Sequence, residues 1–314
     1  MINLSFLISL FIFIIITVFI TYLGGKRTNR CFRDFSRYPV TVITKDKAVW
    51  GDFYPESTGF YIRYKKPKKE KDFKELSYLF YKQEFGEIIA LTREVTELSE
   101  DQKKKREREI ERTYRPNIIR KLKRYLYNIV IIASDVIKEA LSLTLGRVLS
   151  KVPQNLPSQK GYSSKISQLL VPTSSYDGLL EKIIGEKVVL EIKDGDEYKE
   201  YPGIFKEYTK DFLEVLDVNY SYIIKVKILP ENETIFKDIK ILAKDESIYI
   251  ENQGNSPIEI MEINREAQSF YIKPGERKEI QIKYKNFIKI TMKITITGDI
   301  IVPRNIGIIR HEAE

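Results

Sequence analysis

The spacing of hydrophobic positions changes character several times along this chain. Residues 3–23 carry no charge and leave no polar stripe on any side. About 20 apolar residues in a helix span a hydrocarbon layer about 30 Å thick, so residues 1–25 are expected to form a transmembrane anchor. A cleaved signal peptide fits less well. No Lys or Arg precedes the run, it exceeds the usual apolar core of such a signal, and no small-residue cleavage site follows. Lys26, Arg27, Arg30 and Arg33 lie just after it. Basic flanks stay in the cytoplasm, so the expectation is a single-pass protein of the cell membrane, N-terminus outside and body cytoplasmic.

Residues 34–96 switch to short alternating runs: VTVITKD, AVWGDFY, TGFYIRYKK, ELSYLFYK and EIIALTREV. Turn-prone or charged breaks separate them, which predicts a small, strongly bent sheet or barrel. Residues 97–151 take on helical spacing, first densely charged and then amphipathic. Ser99 is the predicted N-cap of the charged helix, and Pro116 interrupts it. The amphipathic part, from residue 117, fits a helix lying on a bilayer or one covering the protein's own sheet. Residues 152–178 are rich in Ser, Pro and Gln and read as a linker. Strands resume in a module over residues 179–233, through VVLEIKDG, GIFKEYT, DFLEVLDV and YIIKVKIL. Residues 234–297 space their strands like a small antiparallel, Ig-like sandwich. The fold class expected is therefore mainly β with α, comprising an anchor, two small barrels, a helical segment between them and a sandwich-like insertion.

The two strand-rich halves echo each other. GDFYPESTGF (51–60) aligns without gaps on GIFKEYTKDF (203–212), which pairs Gly51, Phe53 and Phe60 with Gly203, Phe205 and Phe212. Upstream, VTVITKD parallels VVLEIKD; downstream, Gly86-Glu-Ile-Ile resembles Gly298-Asp-Ile-Ile. A glycine between strands permits a bend that a Cβ would obstruct. If the Gly298 echo holds, residues 298–310 complete the second barrel and the sandwich is an insertion within it. A strand, a K-D turn, a strand opening with Gly and a further apolar strand resemble the first motif of the Sm-like (Lsm) β-barrel family. That resemblance implies assembly through small barrels, and RNA binding through an Asn at a position that Tyr61 and Leu213 occupy here. The family's later R-G-[DN] element is also missing, Pro303-Arg304-Asn305 being the nearest text. A similar barrel begins the cytoplasmic part of small-conductance mechanosensitive channels, but a single span without a Gly/Ala seam argues against a pore.

Charge and chemistry narrow the functional classes. The net charge is +9, with one Cys and one His in 314 residues. One cysteine forms no intramolecular disulfide, in keeping with a reducing compartment. His311 lies near the C-terminus and Cys31 near the anchor, which leaves little basis for His- or Cys-dependent catalysis or for common zinc sites. No phosphate-loop, dinucleotide or zincin motif occurs, so no catalytic, cofactor-binding or metal-ligating residue is nominated. Cationic clusters occur at Lys65, Lys66, Lys68, Lys69 and Lys71, then at residues 103–108 and 115–124. KKKREREIER suits a solvated helix face with i,i+4 ion pairs. Anionic lipid headgroups are the next candidate, through Lys26, Arg27, Arg30, Arg33, Arg115, Arg120, Lys121, Lys123 and Arg124. Nucleic acid is the alternative partner. The function expected is a non-enzymatic, membrane-anchored scaffold or adaptor that self-associates or engages a protein partner.

Overall fold

The structure, a computed structural model, describes residues 28–69, 73–114, 124, 128, 176–194, 197–244, 246–282 and 287–313. Among these, no helix is long and apolar enough to cross a membrane. The expected anchor lies outside the described residues. So do the linker up to residue 175, most of the amphipathic segment, and Lys26, Arg27, Arg115, Arg120, Lys121 and Lys123.

The described part of the chain is mainly β. The first half runs α1 (Arg30–Arg33), β1 (Pro39–Thr44), β2 (Ala48–Pro55), β3 (Gly59–Lys69), β4 (Lys74–Tyr81), a 3-10 turn (Lys82–Glu87) and β5 (Ile88–Glu94). Helix α2 (Glu100–Tyr114) follows. The second half runs α3 (Gly178–Lys182), β6 (Lys187–Asp194), β7 (Glu197–Tyr208) and β8 (Phe212–Ile228). Then come β9 (Glu233–Phe236), β10 (Ile239–Lys244), β11 (Ser247–Asn252), β12 (Ile258–Ile263), β13 (Glu266–Ile272) and β14 (Arg277–Gln281). The long β15 (Ile288–Pro303) and β16 (Gly307–Glu312) close the order.

Hydrogen bonding makes the repeat explicit. The first half pairs its strands in the order β5-β1-β2-β3-β4, the second in the order β16-β6-β7-β8-β15. Each is a short helix followed by a five-strand antiparallel sheet of one connectivity, with β15 and β16 standing where β4 and β5 stand. Residues 298–310 thus pair with β8 and β6. The Gly86–Gly298 echo marks something else, however. Gly86 precedes β5, whose counterpart β16 opens with Gly307, whereas Gly298 lies inside β15. The recurrence of G-x-I-I here joins positions of different topology.

The same close strand approach occurs in each sheet. A Cβ on Gly51 would lie 2.2 Å from the Arg63 carbonyl oxygen, and one on Gly203 would lie 2.7 Å from that of Leu216. Only glycine lets β2 cross β3, or β7 cross β8, so closely. Two residues later the backbone bonding repeats. Phe53 donates to Tyr38 O at 3.0 Å and accepts from Arg37 N at 2.7 Å, while Phe205 donates to Glu186 O at 3.0 Å and accepts from Gly185 N at 2.7 Å. Phe53 and Phe205 are both fully buried.

Beyond that point the gapless alignment fails by one residue. Phe53 faces Ile62, but Phe205 faces Val215, because the register of β7 against β8 shifts between Phe205 and Glu207. Lys206 is the extra residue of a β-bulge. The counterpart of Phe60 is therefore Leu213, which fills the second core, and Phe212 turns to the opposite face. A one-residue slip exchanges the faces of every following side chain.

The sandwich region is continuous with the second half. DFLEVLDV and YIIKVKIL form one strand, β8, with Asp217 at φ 57° marking the local break. β8 and β15 pair along their whole lengths, and β15 runs unbroken across residues 297 and 298. β12 joins β15 and carries β13 on its other side, while β9, β10, β11 and β14 form a separate four-stranded sheet. Ile239, Ile241, Ile248 and Ile250 from that sheet share one core with Ile258, Ile260, Ile290 and Met292.

Candidate functional site: the seam between the halves

The halves join through their sheet edges. β15 of the second half pairs antiparallel with β5 of the first: Gly298 opposite Glu94, Asp299 opposite Arg93, Ile300 opposite Thr92 and Ile301 opposite Leu91. At Gly298 a Cβ would come within 2.2 Å of the Arg93 carbonyl oxygen, so glycine is what admits this approach. Phe212, displaced by the bulge, crosses the seam into the first core. Its ring lies 4.8 Å from Phe32 and 5.3 Å from Phe85.

Charged side chains seal one side of the seam. Asp299 is fully buried and accepts from Arg93 Nε at 2.8 Å, Arg106 Nη2 at 2.8 Å and the Asp217 backbone N–H at 3.0 Å. Burial works to raise its pKa, but Arg93 and Arg106 outweigh it and hold the carboxylate below its ordinary range. The Arg93 guanidinium is also stacked between Phe35 and Tyr38, 4.7 Å from each ring centre. Arg106 further reaches Asp217 at 3.0 Å. Helix α2 docks through such groups, its buried residues being Arg106 and Thr113. Ser99 caps it as the sequence predicts, in a reciprocal pair with Gln102 at 3.0 and 3.4 Å.

Next to this lies a second cluster built on the bulge. The Lys206 ammonium pairs with Asp34 at 2.7 Å, with Glu214 at 2.9 Å and with Glu109 of α2. Oxygens of these three carboxylates lie within 4.8 Å of one another, a spacing suited to a metal ion, but the lysine already supplies the cation among them. Burial pushes Glu214 up to about 7 against the pull of Lys206, with Asp34 adding to the rise. Its Oε2 has no hydrogen-bond partner. The Cys31 thiol is buried beside it and bonds to the Phe212 carbonyl at 3.8 Å; burial first, then Glu214 and Glu207, raise its pKa. A thiol held protonated in this way is a poor nucleophile.

The predicted surface cations divide sharply. Arg124 binds Glu181 at 2.6 Å and Glu207 at 2.9 Å, and Arg30 donates to the Tyr208 carbonyl at 2.9 Å and pairs with Glu207 at 3.5 Å. Both are turned inward, tying residue 124, α1 and α3 to β7. Arg33 remains exposed, paired with Asp34 at 3.4 Å. Arg106, taken from the sequence as part of a solvated or membrane-facing cluster, is buried in the seam. On the insertion side, Phe236 packs on Trp50 at 4.7 Å and Lys237 pairs with Glu94 and Glu97, fastening the sandwich to the first half.

Sequence reasoning nominated none of Arg93, Asp299, Lys206 and Glu214. For Asp299 and Glu214 a usable signal existed: each is a charge flanked by apolar residues within its strand, where only a buried partner offsets its desolvation. Compared with known protein families, curated proteins and solved structures, the chain matches none, so its function rests on this geometry.

Proposed function

We propose that the chain is a membrane-anchored, cytoplasm-facing, non-enzymatic scaffold that assembles through two Sm-like bent sheets. The observation that carries this reading is the seam. Two copies of one strand order are joined edge to edge, and among the described residues the joined path ends on an edge strand at either side, β4 and β16. A sheet edge left with unpaired backbone groups is a ready surface for another strand. The Gly-anchored bends at Gly51 and Gly203 support the barrel-like part of the reading, and the apolar run at residues 3–23 supports the anchor. Nucleic acid is the less favoured partner, because Arg30, Arg106 and Arg124 spend their charge on carboxylates of the chain itself.

The test is the full chain expressed in cells and extracted in mild detergent. The reading expects a chain that resists alkaline extraction from membranes and whose body is digested by protease only after the cytoplasmic side is opened. It also expects light scattering to give a multiple of the single-chain mass. A chain released by alkali, or one that stays single at all concentrations, would contradict it.

A further inference from the structure

The bulge that carries Lys206 also gathers the parts of a covalent reaction. The Lys206 side chain is 3% exposed, and its Nζ lies 2.7 Å from Asp34 Oδ2 and 2.9 Å from Glu214 Oε1. Glu109 Oε1, on α2, contacts the same nitrogen. The other oxygen of Glu109 accepts from Arg93 Nη2 at 3.1 Å. Arg93 is fully buried and is fixed by Asp299 and by the Asp34 carbonyl oxygen, each at 2.8 Å. An amine nitrogen in contact with a carboxyl oxygen stands about 3.5 Å from the carboxyl carbon, within range for attack. One nucleophile, one acyl group with an oxygen already held by a guanidinium, and two further carboxyls to move protons therefore meet at one point.

We propose that Lys206 and Glu109 join in an isopeptide bond, formed once by the folded chain with loss of water. Glu214 passes its proton to Glu109 Oε1, and Asp34 takes one from the Lys206 ammonium. The free amine attacks Glu109 Cδ; the C–N bond forms and the carbonyl electron pair moves to Oε2, where Arg93 stabilises the oxyanion. The new nitrogen returns a proton to Glu214. Oε1 takes the proton from Asp34 and leaves as water, and the double bond to Oε2 reforms. Both carboxyl groups end as they began, and no oxidant, reductant or further reagent is consumed. Glu214 suits the part of acid: it is fully buried, its pKa is pushed up to about 7, and its Oε2 has no hydrogen-bond partner. Burial opposes the ammonium of Lys206, but Glu214 and Asp34 outweigh it and raise its pKa, so the amine is scarce and the bond forms slowly. One turnover per chain is enough. The product replaces a buried ammonium and carboxylate by a neutral amide, which removes their desolvation cost. It ties α2 to β7 across residues 97 apart in sequence, whether or not copies of the chain assemble.

Intact-mass spectrometry of the full, detergent-extracted chain reads the bond directly. Lys206→Arg keeps the cation but offers no amine, and it serves as the unlinked reference. Relative to it, and allowing for the substitution, the parent should be lighter by one water. A protease digest of the parent should contain a branched peptide joining Lys206 to Glu109. Glu109→Gln should lose ammonia in place of water, so that parent and variant converge on one mass. Glu214→Gln, neutral like the protonated acid, should form the link at least about 100-fold more slowly after synthesis. A parent that keeps its full mass, or a water loss mapped to any other pair, Lys206 with Asp34 included, would overturn the proposal. An unslowed link in Glu214→Gln would overturn the part given to that acid.

Discussion

The two halves share a strand order, a short leading helix and a close strand approach at a glycine, yet one residue separates their behaviour. The β2–β3 pairing of the first half runs without a register break between Asp52 and Pro55, whereas β7 carries the extra Lys206. In the first half Phe60 stays in its own core. In the second, the slip hands that place to Leu213, sends Phe212 into the neighbouring core and turns Glu214 inward against Lys206. A single inserted residue converts one face of a repeated sheet into a joining surface. The first half keeps the ordinary face, with Phe60 in its own core.

The largest way to break the comparison is at the ion network. Asp299→Ala should leave Arg93 and Arg106 buried without their shared anion and cost about 3–5 kcal/mol in urea unfolding of the full chain in detergent. Next is Phe212→Ala. It should cost about 3 kcal/mol and loosen the first core, read as faster hydrogen exchange in β2 and β3, although the residue belongs to the second half. Phe60→Ala should leave the second core undisturbed, so the pair of variants measures the asymmetry.

The glycine approaches come third. Gly51→Ala and Gly203→Ala should each destabilise by about 1–3 kcal/mol, as overpacking does, with Gly51 the more sensitive because its Cβ would meet backbone at 2.2 Å. The smallest effect is a pH slope. Glu214 titrates near 7 in the fold, against an ordinary value of 4.5. Between those values the folded protein holds a proton that the unfolded chain has lost. The contribution of this group to stability is thus full below about 4.5 and falls as pH rises through about 7. Glu214→Gln should flatten that part of the stability profile relative to the parent; an unchanged slope would mean the carboxyl is not protonated in the seam.

Much of this architecture was legible in residue spacing. The strands of the first half, the Ser99 cap and the equivalence of Gly51 with Gly203 all follow from local rules, because turns, caps and close strand crossings impose their own residue types. The bulge was not legible. Lys206 looks like any polar strand residue, and a gapless match across it paired Phe60 with Phe212 instead of Leu213. Glu214 breaks the alternation that Phe60, Ile62 and Tyr64 keep in the first half, and that break is the trace of the slip. Arg106 was hidden for a different reason. In KKKREREIER every position but Ile110 is charged, and which charge turns inward depends on the distant Asp299, on which local periodicity carries no information.

Hydrogen–deuterium exchange of the full chain, followed from dilute to assembled samples, compares the seam with the edge strands β4 and β16 in one measurement. Amides of β5 and β15 around Arg93 and Asp299 should exchange slowly at every concentration, while those of β4 and β16 should become protected only as copies assemble. Rapid exchange in β5 and β15 of the single chain, or no gain of protection in β4 and β16 on assembly, would contradict the account.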